Sequence, residues 1–424
     1  MLSKNQNLHA LFNANIENLV KNEFISKEVI TEGINNGTMV LLANINHKNV
    51  KPVLIGQPAK IKVNANIGTS PLICSHAEEM EKLQVLEKAG ADTYMDLSIG
   101  GDLDNIRKDM ISSSSLPIGT VPLYAAAKRN TDKGKTIEQL DFEEVFEEIE
   151  KQAEMGVDFM TIHTGITEEA AAFAEKNRIL GVVSRGGSMI SRWVLKNKKE
   201  NPLLTEFDRI INIAKKYNVT LSLGDSLRPG ATFDAGDFPQ FYEVSVLGMQ
   251  AKAAQEKGVQ VMIEGPGHVS LDAVESQVKT IKRLTNNAPL YILGPLVIDN
   301  SPGYDHIAGA IGAAAACVAG ADFLCYLTPA EHLTLPNKED VHNGVMASKI
   351  AAMAGDTALK RKYAVDMQNN MSIMRQKLDW QGMKKYALDK DVIDERRGNH
   401  KDKEECAMCG EFCSVKLQHN NLLF

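Results

Sequence analysis

A chain of 424 residues is long enough for one large barrel with appendages, or for two to three ordinary domains. Its 47 Lys and Arg against 54 Asp and Glu leave a net charge of −7, which offers no polycationic surface to nucleic acid, and 44% hydrophobic with 24% charged residues is a globular composition. The opening run MLSKNQNLHALFNANIENLV has no continuous apolar core, and no later stretch approaches the roughly 18 apolar residues of a membrane span, so the expected location is the cytoplasm.

Residues 1–60 are mixed in pattern and read as an N-terminal cap. From Ile61 onward β-rich runs alternate with amphipathic helical runs. Nine candidate strands follow one another: IKVNANIG, TYMDLS, PIGTVPLY, DFMTIHTG, ILGVVSRGG, VTLSLGD, VQVMIEGPGH, PLYILGPL and ADFLCYLTP. Repeated βα units build either a closed (β/α)₈ barrel or a doubly wound sheet. Polar or glycine-rich residues close nearly every run, which favours a TIM-type α/β barrel over residues 61–343, with all strand C-termini opening onto one face. Nine candidates compete for eight places, and the short gap between DFMTIHTG and ILGVVSRGG marks that pair as the place where one drops out. Residues 344–395 carry only helical patterns. The charged stretch DKDVIDERRGNHKDKEE reads as a flexible linker into a cysteine-rich tail, 396–424.

The tail reads CAMCGEFC, which sets Cys406, Cys409 and Cys413 at C-x₂-C-x₃-C. Three soft thiolates on one loop suit a single iron cluster or a zinc ion, and a cubane held by three cysteines keeps one iron open for a ligand. The competing assignment is a zinc knuckle completed by His400 or His419. Of six cysteines, the scattered Cys74, Cys317 and Cys325 read as ordinary buried thiols.

Strand ends carry the remaining chemistry. Glu264 with His268, and Glu331 with His332, close two runs, and two histidines at equivalent barrel ends can share a divalent ion. Ser184, Arg185, Gly186 and Gly187 combine a planar cation with glycines that let backbone N–H groups approach an anion, which suits a phosphate. Asp225 and Arg228 follow VTLSL as a carboxylate and a guanidinium three residues apart. Asn66, Met95, Asp96, Tyr124, His163 and Tyr291 complete a polar mouth for a small, phosphorylated substrate. Glu264, Asp225 and His163 are the candidates for moving protons.

The ordered blocks VNANIGTS, MDLS, GTVPLY, FMTIH, VSRGGS, SLGDSLRPG, VMIEGPGHV, LGPL, PGYDH and LCYLTPAEH, followed by the cysteine tail, resemble the phosphomethylpyrimidine synthase (ThiC) family of noncanonical radical S-adenosylmethionine enzymes, from Ala43 to Lys416. The resemblance implies a [4Fe–4S] cluster on Cys406, Cys409 and Cys413 that cleaves S-adenosylmethionine. It further implies rearrangement of 5-aminoimidazole ribotide bound by Asn66, Met95, Tyr124, His163, Ser184, Arg185, Gly186, Asp225, Arg228, Glu264 and Tyr291. A divalent metal, expected to be zinc, would sit on His268 and His332. A homodimer, an external electron donor and a tail closing over a barrel mouth, its own or the partner's, are implied too.

Several positions depart from the thiamin-pathway pattern: Ile99 for threonine, Ser226 for glycine, VIDNSPGYDH for a TDIAPGYDH-like run around Ser301, and Thr334 for glycine. Drift around retained ligands favours the branch that makes 5-hydroxybenzimidazole for the cobalamin lower ligand, a branch in which a paralogous subunit can be required, over the thiamin pyrimidine. A zinc-dependent barrel lyase or hydrolase and a non-catalytic binding protein are the readings from other classes.

Overall fold

The structure, a computed structural model, describes residues 1–421, with side chains to residue 418. The chain divides into two compact units, Met1–Gly355 and Asp356–Phe424.

The first unit opens with a cap. Helices Gln6–Glu23 and Lys27–Asn36 precede an antiparallel hairpin, β1 (Val40–Leu42) with β2 (Val53–Ile55). Leu8, Phe12, Ile16, Leu19, Ile30, Ile34, Met39, Leu41 and Leu54 form one buried cluster between them, which explains why so mixed a sequence folds: its apolar residues recur at helical spacing onto one face.

Eight parallel strands then close into a barrel: β3 (Lys62–Ile67), β4 (Thr93–Asp96), β5 (Ile118–Thr120), β6 (Phe159–Ile162), β7 (Thr220–Leu223), β8 (Val261–Glu264), β9 (Leu290–Leu293) and β10 (Phe323–Cys325), with β10 returning to β3. The predicted α/β barrel is therefore present. Strands β4, β6 and β7 are buried along their whole length, as expected where side chains fill the interior on one side and meet helices on the other. The ninth candidate, ILGVVSRGG, is not a strand. Residues 178–184 are irregular, because β6 bonds directly to β7 and the closed cylinder has no edge left; Ile179 and Leu180 are exposed in consequence.

One local device recurs at the barrel floor. Gly90, Gly156 and Gly320 end helices with φ of +84°, +112° and +127°, and two residues later Asp92, Asp158 and Asp322 precede β4, β6 and β10. Each aspartate accepts a backbone N–H from the neighbouring strand's first turn of chain: Val63 at 2.8 Å, Ile118 at 2.8 Å and Leu290 at 2.7 Å. The cap joins the same floor. Asn44 N–H and His47 Nδ1 bond Asp158 at 2.7 and 2.8 Å, Gln260 bonds both backbone groups of Leu41, and Lys62 pairs with Glu23 at 2.9 Å, both side chains buried.

The second unit is helical, with Lys362–Gln376, Trp380–Tyr386, Asp391–Arg397 and Ser414–Asn421. The stretch expected to be a flexible linker contains the helix Asp391–Arg397. Its charges find partners that composition does not reveal: Lys384 pairs with Asp394, and the Arg397 guanidinium lies 3.8 Å from the Trp380 ring, whose Nε1 donates to the Glu404 carbonyl at 2.8 Å. Among the described residues no helix is long and apolar enough to cross a membrane.

Candidate active site

All eight strand C-termini open onto one mouth, and the polar residues at their ends converge there. Asn66, Met95, Tyr124, His163, Asp225, Arg228, Glu264 and Tyr291 line a chamber of about 100 Å³. A wider vestibule outside it, sharing Asn66, Tyr124 and Arg228, is lined further by Ile99, Arg185, His268, Glu331 and His332. Ser184 and Gly186, also expected at the substrate, do not line either space. Ser184 caps the helix Arg185–Asn197 by accepting the Gly187 N–H at 3.2 Å, and a Cβ at Gly186 would lie 2.2 Å from the His163 ring. The glycine is thus required for the helix N-terminus to approach the chamber wall.

One wall of the chamber is a chain of hydrogen bonds. Asn64 donates to Tyr291 Oη at 2.8 Å and to Asn66 Oδ1 at 2.7 Å, while Asn66 Nδ2 donates to Cys325 Sγ at 3.0 Å. Cys325 is buried as expected, and burial pushes its thiol up to about 12; Cys74, by contrast, is exposed in the loop after β3. The opposite wall holds the titratable groups. Glu264 Oε1 accepts from Thr161 at 2.6 Å and Ser222 at 2.8 Å, yet burial outweighs these bonds and raises its pKa. Burial likewise raises Asp225 well above the carboxylate range against the pull of Arg228, which donates to it at 3.1 Å. His163 is lowered to about 3 by burial and then by the Arg228 charge. His163 Nδ1 and Asp225 Oδ2 are buried without a hydrogen-bond partner among the described residues, as expected of groups awaiting a ligand. At the vestibule the Arg185 guanidinium stacks 4.9 Å from the Tyr124 ring, held at the N-terminus of its helix, where backbone N–H groups and the dipole favour an anion.

The two histidines predicted to share a metal lie close, with ring centroids 5.5 Å apart. His268 Nδ1 bonds Asp299 at 2.8 Å, an arrangement that fixes the tautomer and leaves Nε2 for a cation. His332, at φ +61°, sits with Nδ1 3.6 Å from Asp305, whose Oδ2 is buried without a partner among the described residues. This donor set fits a divalent ion whose other positions are open, although no group of three or more potential ligands is gathered among the described residues. Asp299 and Asp305 were not foreseen as site residues. Their signal was the run VIDNSPGYDH, noted only for its departure from the family pattern.

In the second unit Cys406, Cys409 and Cys413 follow successive turns, with Gly410 N–H bonded to Cys406 O at 3.2 Å and Cys413 N–H to Gly410 O at 3.1 Å. The N–H groups of Cys409 and Met408 hold the Cys406 thiol below its usual value, while desolvation and the neighbouring Cys406 and Cys413 charges raise Cys409. Three thiols on one loop supply the donor types that a cluster needing three thiolates takes, although no group of three or more potential ligands is gathered among the described residues. Of the residues weighed for a zinc knuckle, the His419 side chain lies outside the described residues.

Comparison with known proteins gives the same direction. Phosphomethylpyrimidine synthase of Thermoanaerobacter sp. strain X514 is 50% identical over 93% of this chain and 92% of that protein. The synthase of Carboxydothermus hydrogenoformans is likewise 50% identical over the same shares, and that of Pyrococcus abyssi is 47% identical over 94% of this chain and 93% of its own. The model of the Radical SAM ThiC family matches residues 5–420, and such a family brings S-adenosylmethionine and an iron–sulfur cluster with it. On that match, and on relatives half identical across nine-tenths of their length, the chain belongs to the Radical SAM ThiC family.

Proposed function

We propose that this enzyme is a carbon–carbon lyase that rearranges 5-aminoimidazole ribotide to 4-amino-5-hydroxymethyl-2-methylpyrimidine phosphate. The observation that carries the product is the name borne by the curated relatives at about half identity, phosphomethylpyrimidine synthase. It displaces the benzimidazole branch preferred from the drifted positions. Those positions carry less than their sequence context implied. Ile99 lines the vestibule, but Ser226 is fully buried behind its loop, and Ser301 is buried with its hydroxyl turned to Asp305 at 3.5 Å. Thr334 lines the vestibule beside Ile99, so two of the four departures have no direct route to the product.

The cluster on Cys406, Cys409 and Cys413 supplies, when bound, the electron that cleaves the sulfonium of S-adenosylmethionine to a carbon radical. Arg185 and the helix N-terminus behind it hold the phosphate of the ribotide. Arg228 and Asp225 orient the ring and its amine, and Asn66 with Tyr291 hydrogen-bonds the sugar. Glu264 and Asp225, both raised above the ordinary carboxylate value by burial, can carry a proton to and from the reacting skeleton; His163, held neutral with its pKa lowered to about 3, serves as a hydrogen-bonding group and a poor base. His268 and His332 would hold a divalent metal that polarises a substrate oxygen or nitrogen.

The test is anoxic incubation with aminoimidazole ribotide, S-adenosylmethionine and a strong reductant, followed by mass spectrometry. The pyrimidine phosphate is the expected product, and 5-hydroxybenzimidazole in its place would overturn the assignment. Cys409→Ala should abolish 5′-deoxyadenosine formation.

A further inference from the structure

Two buried side chains outside the chamber hold the loop that presents Asp225 and Arg228 to it. Glu243, on the helix Phe238–Glu256, accepts the Ser226 N–H on Oε1 at 2.9 Å and the Leu227 N–H on Oε2 at 2.7 Å. From the other side Arg178 donates to the carbonyls of Leu227 at 2.7 Å and Arg228 at 3.4 Å. Arg178 is itself oriented by a two-point bond to the Asp237 carboxylate, at 2.7 and 2.8 Å, and Asp237 caps the helix that carries Glu243. The space is built for this arrangement: a Cβ at Gly165 would lie 2.6 Å from Glu243 Cγ. Loop peptides buried away from water need partners that no β-ladder supplies, and these two ionisable side chains provide them.

Arg178 also begins the irregular segment 178–184 that ends at Ser184 and Arg185, and the helix start rests on the same loop, since a Cβ at Gly187 would lie 2.1 Å from the Ser226 carbonyl. The acid and base thus connect the two segments assigned to the substrate's ring and phosphate. We infer that Glu243 and Arg178 are positioning residues, a buried clamp that fixes Asp225 and Arg228 relative to Ser184 and Arg185 when the phosphorylated substrate binds. The inference rests on the proposed substrate roles of Asp225, Arg228 and Arg185.

The clamp is sensitive to protonation. Burial pushes the Glu243 carboxyl up to about 7, against the opposing pull of the Leu227 and Ser226 N–H groups and the Arg178 charge. Asp225 and Arg228 on the loop and Glu264 on β8 face it across a small shared cavity. A proton on Glu243 turns one acceptor oxygen into a donor facing an N–H, so the hold loosens as pH falls through about 7.

The full-length, cluster-loaded enzyme tests this through Glu243→Gln and Arg178→Lys, neither of which changes side-chain bulk much. Each should raise KM for the ribotide about tenfold and speed amide exchange in residues 224–229, with exchange elsewhere in the barrel unchanged. Wild-type KM should climb between about pH 8 and 6, that of Glu243→Gln should stay flat, and Arg178→Lys should keep the slope. Unchanged KM and local exchange in both variants would overturn the clamp, as would exchange that rises equally throughout the barrel, the mark of a merely structural role. If the wild type does not turn over the ribotide, the proposed function fails, while the exchange measurement, which needs no substrate, still decides the clamp.

Discussion

The two ends of the barrel use the same residue types to opposite purposes. At the floor Asp158 is fully buried and accepts three donors, from Asn44, His47 and Ile118, and Asp322 repeats the pattern with Gln57, Lys282 and Leu290. At the mouth Asp225, its side chain 13% exposed, keeps one oxygen without a partner among the described residues, and the His163 ring keeps Nδ1 without one. A saturated carboxylate is committed to holding strands together. An unsaturated one, largely shielded from water, raises the energy of the empty site, which a ligand with matching groups then lowers.

This contrast can be broken from either end. The largest effect is expected at the mouth: Glu264→Gln keeps an oxygen for Thr161 and Ser222 but loses the titratable group, so product formation should fall roughly 10²–10⁴-fold while the melting temperature holds, measured by anoxic turnover beside calorimetry. At the floor, Asp158→Ala strands three donors, costing about 3 kcal/mol or more by denaturant titration, with turnover per folded molecule unchanged. A loss of turnover without a loss of stability there would erase the distinction.

A smaller effect tests the burial of His163. Its pKa is about 3 in the folded protein against an ordinary 6.5, so the unfolded chain binds more protons between those values. Stability is full above pH 6.5 and is lost as pH falls toward 3. Between neutral pH and pH 5 the wild type should lose about 2 kcal/mol relative to His163→Gln in paired urea titrations. The smallest concerns packing: Gly186→Ala sets a methyl against the His163 ring and should cost about 1–2 kcal/mol, raising KM more than it lowers kcat because the helix N-terminus is displaced.

Much of the mouth was legible in the sequence because function there depends on residue type at strand ends, and the βα period locates those ends. Asn66, Tyr124, Asp225, Arg228 and Glu264 reach one chamber for that reason. Ser184 and Gly186 were legible as a motif but not as a geometry: they shape the approach of Arg185 without lining the space. Glu243 and Arg178 were not legible, since a glutamate within a helix and an arginine beside an apolar run look like ordinary surface charges until the loop they grip is folded against them.

From the sequence alone came the alternation of strand and helix, the thiolate spacing of Cys406, Cys409 and Cys413, and the strand-end chemistry, all carried by local periodicity and residue type. The tertiary structure alone decided that ILGVVSRGG is a loop running into a helix start, that Ser226 and Ser301 turn away from the chamber, and that 391–397 is a helix. The physical reason is common to the three. Closure of a cylinder, burial of a hydroxyl and pairing of a charged run each depend on partners distant in the chain, and no local pattern encodes which partner will be there.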